Sequence, residues 1–160
     1  MDNIAKRSDK IAFFEISGDE NRFLRMRGFT EFSINKNPVE YSRKYIDEKT
    51  QRSDVVGYAP SIDYSFDRFS DNPVHKEIIG ITDNETVGMD AVRKILIADM
   101  SSPGEEKEAI LREWTVIPDS EGDESDTYTY SGTLKANGEI IKGTVTSDDD
   151  WQSVIFTQNA

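Results

Sequence analysis

The sequence predicts a mainly β protein: a β-sandwich or barrel with one short flanking α-helix and one long extended loop. Three observations carry that prediction. Short segments alternate apolar and polar residues with a period of two, the mark of half-buried strands. A single helix-start signal occurs, at Asp71-Asn72-Pro73. An Asn-Gly dipeptide, the strongest short hairpin signal, stands at Asn137-Gly138 between two strand-like runs.

The elements follow in order. Ile11 to Ile16 is a compact apolar run between polar flanks and predicts a strand. Phe23 to Gly28 sets Phe23, Arg25 and Arg27 against Leu24 and Met26, and Phe29 to Ile34 repeats the alternation. From Asn35 to Gly57 the period fails. This polar stretch carries Lys36, Arg43, Lys44, Lys49 and Arg52, and is expected to form an extended hairpin with strands around Glu40–Ile46 and Asp54–Tyr58. Long unstructured loops are uncommon in compact domains and are usually functional or mobile.

Pro60 to Phe69 is the clearest strand, with Ile62, Tyr64 and Phe66 on one face and Ser61, Asp63, Ser65 and Asp67 on the other. A capping amide at Asn72 and proline at the first helical position predict a helix over 73–82, ended by Asp83-Asn84. Val92 to Met100 and Glu108 to Ile117 are strands, and Pro118 to Asp126 is an acidic loop. Tyr128 to Ala136 and Glu139 to Thr146 form the expected Asn-Gly hairpin, and Trp151 to Thr157 closes the chain. Gly18, Gly28 and Gly57 are expected in turns or bulges. The spread of aromatics over many strands points to core packing.

With 160 residues the chain is long enough for one domain, spanning 1–160, with its own core. It has no cysteine, which excludes thiol catalysis and zinc-thiolate sites. No apolar run approaches a membrane span, and no apolar region follows Met1 to Arg7 as a secretory signal would need. The net charge of −12 opposes binding to nucleic acid or anionic membranes. It is unevenly placed: residues 1–53 carry net +2 and residues 54–160 net −14.

No catalytic, cofactor or metal site emerges. His75 is the sole histidine, without a nucleophile motif beside it, and is expected on the surface or beside the helix cap. The run from Asp119 to Asp126 resembles the opening of a calcium loop. It carries Glu124 where glycine is needed and Tyr130 where the closing glutamate belongs. Asp148-Asp149-Asp150 cannot easily converge on one ion. An enzyme is therefore not expected, and the aromatics lie among acids rather than the bases that a nucleic-acid stacking platform needs.

Taken together, several stretches resemble the tail tube, or major tail protein, of tailed bacteriophages and related prophage elements of Gram-positive bacteria. They are Asn37-Pro38 with Tyr45-Ile46-Asp47-Glu48-Lys49, Gly57-Tyr58-Ala59-Pro60-Ser61-Ile62 to Phe66, and Asn72-Pro73-Val74-His75 to Asp83-Asn84. Val116 to Ser120 and Tyr128 to Gly138 complete the resemblance, which spans roughly residues 10–157. It implies a virion protein with a β-sandwich of the tail tube type, lacking an appended immunoglobulin-like domain. Six copies would form a ring, each giving strands to an inner barrel, and rings would stack into a tube assembled in the bacterial host cytoplasm. Implied partners are the chain itself, the tape measure protein, the tail terminator, baseplate or tail-tip proteins and tail assembly chaperones. DNA would pass an acidic lumen during ejection without specific binding.

The loop 38–54 would then contact the next ring. Arg43, Lys44, Lys49 and Arg52 are expected to meet carboxylates there, and Tyr41, Tyr45 and Ile46 to supply apolar anchors. Two alternatives stand beside this: the tube of a contractile bacteriocin or effector-delivery device, and a monomeric β-sandwich binding module.

Overall fold

The computed structural model describes residues 4–16 and 19–159. Among the described residues, eleven strands and one α-helix are arranged as one large antiparallel sheet and a small two-stranded one. In chain order the strands are β1 (Lys10–Ile16), β2 (Asp19–Arg25), β3 (Phe29–Asn35), β4 (Pro38–Arg43), β5 (Arg52–Tyr58) and β6 (Ser61–Asp67). After the helix α1 (Pro73–Asp83) come β7 (Val92–Asp99), β8 (Lys107–Glu121), β9 (Thr129–Ala136), β10 (Ile141–Thr146) and β11 (Ser153–Gln158). The mainly β prediction with one helix holds. Among the described residues no helix is long and apolar enough to cross a membrane.

The large sheet closes on itself. Its order is β10-β11-β2-β1-β7-β8-β9-β6-β3, and β10 also pairs with β8. Strands β10, β11, β2, β1, β7 and β8 therefore form a closed barrel, and β9, β6 and β3 continue from β8 as an extension. The barrel encloses Phe13, Phe23, Leu96, Leu111, Val145 and Phe156. The extension folds over the outer wall of the barrel and buries a second core of Phe14, Tyr64, Phe66, Ile95, Trp114 and Leu134. Helix α1 adds Val74, Ile78, Ile79 and Ile81 to it.

This explains why the first apolar run lacks alternation. Phe13 belongs to one core and Phe14 to the other, and both are fully buried. A strand covered on both faces has no solvent side to mark with polar residues. The aromatics mostly pack as expected, but Phe69 and Tyr128 are about half exposed, at 53% and 50%.

The extension also explains why β8 outruns its prediction. The expected loop from Pro118 is strand as far as Glu121, because Pro118 sits at a bulge before Ser120 where a missing N–H costs little. The Asn137-Gly138 hairpin does not form. β9 and β10 never pair with each other; both pair with β8, one after the other along the same edge. Neither residue takes the positive φ that a hairpin turn of this type needs. Asn137 N–H instead donates to Glu113 O at 2.8 Å, and Arg112 Nε donates to Gly138 O at 2.9 Å, so the turn is tied to β8.

Helix α1 starts as predicted. Asn72 Oδ1 accepts from the N–H groups of Val74 and His75, with Pro73 at the first helical position. His75 lies beside the cap, one of the two places expected, and not at the surface; it is fully buried, with its ring stacked on Phe66 at 4.3 Å. Its Nδ1 accepts from Phe69 N–H at 3.1 Å, so Nε2 carries the proton and donates to Arg27 O at 2.7 Å. Burial holds the imidazole below its ordinary pKa. Gly28 makes the turn beside it at φ 79, Gly57 flanks the β4–β5 bulge, and Gly18 lies outside the described residues.

Asp149 closes the β10–β11 turn. It accepts from Ser153 N–H, Ser153 Oγ and Ser147 Oγ, and these bonds pull its carboxyl down to about 2. Among the described residues no three ligating side chains converge as a metal site.

Gly132 is required by close packing: a Cβ there would stand 2.5 Å from Ile117 O and 2.7 Å from Tyr64 Oη. Gly132→Ala is expected to lower unfolding free energy by about 1–3 kcal/mol, measured by urea denaturation. Because the folded pKa of His75 is depressed, its contribution to stability is intact above the unfolded value of about 6.5 and declines as pH falls below it. Stability measured from pH 7.5 to 5 should fall, and His75→Gln should flatten that slope.

Candidate functional site

Two exposed features have no role in the core: an arm and a polar sheet face. The arm is the outer half of a single bent hairpin. β3 pairs with β6 inside the large sheet, and beyond a joint β4 pairs with β5 alone. At the joint Asn37 adopts a left-handed φ of 47, which asparagine tolerates better than most residues. Ala59 N–H donates to Asn37 O at 3.1 Å, and Asn37 Nδ2 donates to Ala59 O at 3.1 Å and Ser61 Oγ at 3.0 Å. Both strands are thus pinned where they leave the sheet.

All seven residues singled out from the sequence lie on this arm: Tyr41 and Arg43 on β4, Lys44, Tyr45, Ile46 and Lys49 in the connecting turn, and Arg52 at the start of β5. The structure brings part of them together. Arg43 pairs with Asp54, donates through Nε to Tyr45 Oη at 2.9 Å, and lies over the Tyr41 and Tyr45 rings at 5.1 and 5.7 Å. Arg52 pairs with Glu48 at 2.9 Å and approaches the Tyr45 ring at 5.8 Å. Both arginines therefore brace the tip. Lys44 and Lys49 form no ion pair among the described residues.

Considering the cations alone overstated the arm's charge. Over 38–54, Arg43, Lys44, Lys49 and Arg52 are matched by Glu40, Asp47, Glu48 and Asp54, a net charge of zero. What distinguishes the arm is apolar exposure. Ile46 is fully exposed, and Val39, Tyr41, Tyr45, Val55, Val56 and Tyr58 are each 47–65% exposed. Cross-strand register puts Tyr41 and Arg43 on one face with Asp54 and Arg52, and Glu40 and Ser42 on the other with Val55 and Ser53. Apolar side chains stand on both faces. An isolated two-stranded ribbon is marginal in water, and this one has no second layer among the described residues to cover its apolar side chains. Val39, Val55, Val56 and Tyr58 escaped the sequence argument because their strands are short and a bulge breaks their alternation.

The second feature is the outer face of β8-β9-β6-β3. Register aligns three rows across the four strands: Thr115, Lys135, Ser61 and Asn35; Ile117, Thr133, Asp63 and Ser33; Ser120, Ser131, Ser65 and Glu31. Hydrogen bonds tie the rows, with Thr133 Oγ1 and Asn35 Nδ2 both donating to Asp63 and the Ser120 and Ser131 hydroxyls 2.7 Å apart. The face is rich in hydroxyls, with Lys135 its one cation among these positions. The chain's acidity is not concentrated there.

This four-stranded unit has two open edges. Among the described residues β3 has a ladder partner only on its β6 side. β8 pairs with β7 only as far as Thr115, so Val116–Glu121 has no ladder partner on that side among the described residues.

No protein-family model matches the chain, and no curated protein matches it. Among solved structures it is similar in fold to a chain of the anti-feeding prophage baseplate, determined by electron cryo-microscopy with six-fold symmetry applied. The TM-score is 0.50 at 10% identity, over 89% of this chain and 97% of that one. At this identity the likeness is one of fold.

Asn37→Ala should loosen the joint without unfolding the domain. Hydrogen exchange should accelerate at amides of 39–43 and 52–58 and stay unchanged at barrel amides; equal protection throughout would contradict the assigned role.

Proposed function

We propose that this chain is a structural subunit of a phage-tail-like particle, in which copies join edge to edge into rings and rings stack through the arm. The observation that carries this reading is the antiparallel four-stranded unit with an open edge on each side. Because its strand number is even, β3 of one copy meets β8 of a rotated copy in antiparallel orientation. The N–H and C=O groups of both edges can then be satisfied. Pro118 removes one donor from the β8 edge, a common restraint on uncontrolled pairing.

In such a ring the hydroxyl-rich face lines the lumen. It offers DNA one lysine per copy and carries Glu31 and Asp63 besides, so it gives phosphates little to hold. The arm leaves the unit at the Asn35–Ser61 end, and the acidic segment from Glu121 to Asp126 lies at the other end of β8. Stacking copies head to tail therefore brings an arm to an acidic end. Lys44 and Lys49 are the cations available to it, and Tyr41, Tyr45, Ile46 and Val55 supply the apolar contact. Such a contact is heterologous and propagates instead of closing.

The fold likeness to a baseplate chain supports a phage-related structural role and favours one second reading, a single ring within a baseplate. Negative-stain microscopy of concentrated protein separates them: stacked tubes are expected for a tube subunit and unstacked rings for a baseplate one. Deleting residues 40–52 should leave rings and abolish tubes. Monomers at every concentration, even with other tail components added, would overturn both readings in favour of a monomeric binding module.

A further inference from the structure

Behind the open edge of β3 the second core is not filled. A groove of about 690 Å3 lies there, between β3 and the outer wall of the barrel. Its floor is apolar, built from Ile34, Ile97, Ile110 and Ile140 with Trp114 at one end. Ile34, Ile110 and Ile140 are 39–44% exposed, unusual for residues that belong to a packed face. On a chain of net charge −12 the surround is basic: Arg7, Lys10, Lys36, Arg112 and Lys142 line the groove against Asp99 and Glu108. None of these five cations is in an ion pair among the described residues.

The complementary surface lies behind the other open edge. Where β7 would continue beside Val116–Glu121, the chain instead carries the 3-10 turn Gly88–Ala91, which touches β8, as does α1. The segment from Asp83 to Asp90 joins them. Val87 and Met89 are 80% and 73% exposed there. Asp83, Glu85 and Asp90 accompany them, and none is in an ion pair among the described residues. The groove and this segment lie on the same, core-facing side of the four-stranded unit, at its opposite edges.

We infer that the groove of one copy receives the Asp83–Asp90 segment of the neighbouring copy, with Val87 and Met89 on the isoleucine floor and Glu85 and Asp90 on the basic surround. This rests on the edge-to-edge reading above, because joining β3 to the neighbour's β8 brings these two surfaces face to face. Opposite charges at the contact fix which edges meet and in what register, and burial of exposed apolar side chains supplies affinity. The neighbour's segment completes a core that a single chain leaves open.

The native chain has no cysteine, so an introduced pair reports cleanly. The variant Met89→Cys/Ile110→Cys, assembled and then oxidised, should give a non-reducing gel ladder ending at the ring's copy number. Ile110→Cys alone should give none. As a second measurement in cysteine-free protein, Lys36→Glu/Lys142→Glu should raise the concentration threshold for assembly about tenfold, and adding Glu85→Lys/Asp90→Lys should restore it. Rings or tubes that form without a ladder, at a threshold indifferent to the charge reversals, would overturn this inference and leave the edge-to-edge reading standing. A chain that remains monomeric in every condition would overturn both.

Discussion

The structure depends on β8 serving two cores with one strand. Along Lys107–Leu111 its partner on one edge is β10; from Trp114 onward, on that same edge, it is β9. The buried side chains change face between these stretches: Ala109 and Leu111 point into the barrel, while Trp114 and Val116 point into the second core. A strand exposes alternate residues on opposite faces, so this change needs no irregular backbone. It needs only that the covering layer move from one side to the other, and Arg112, Asn137 and Gly138 hold the point where it moves.

From that division the exposed features follow. Closing the barrel removes sheet edges from the first core. The extension cannot close in the same way, and it ends at β3 with a partly open second core behind it. The hairpin that forms β3 and β6 is longer than the sheet it joins, so its outer half projects as the arm. Edge, groove and arm are three results of one extension that runs past the closed barrel.

The arm shows how charge can mislead when it is counted without geometry. Its arginines are used within the ribbon, against Asp54 and Glu48, and their guanidinium groups lie over tyrosine rings. Exposed ion pairs contribute little to stability, but here they hold Tyr41 and Tyr45 in fixed positions on a ribbon that has no core of its own. The side chains so displayed are more apolar than charged in character, since the arm's charges sum to zero.

The sequence by itself determined the local elements wherever a residue pattern has a local cause. Asn72 and Pro73 start the helix through their own hydrogen-bonding and φ preferences, and the alternation of Ile62, Tyr64 and Phe66 follows from a strand with one wet face. The arm's hairpin was legible too, since β4 and β5 are neighbours in the chain, although β4 runs Pro38–Arg43 where a strand around Glu40–Ile46 was expected. The joint at Asn37 that continues it from β3 and β6 was not legible. Only the tertiary structure decided that Phe13 and Phe14 face different cores, that Asn137-Gly138 translates the chain along β8 instead of reversing it, and that His75 is buried. It also decided that β2 meets β11, where Arg22 and Ser153 bond across 131 residues. The physical reason is one of range: caps, turns and alternation are settled within a few residues, whereas which face is covered, and by what, depends on segments that the chain brings together only when the barrel closes.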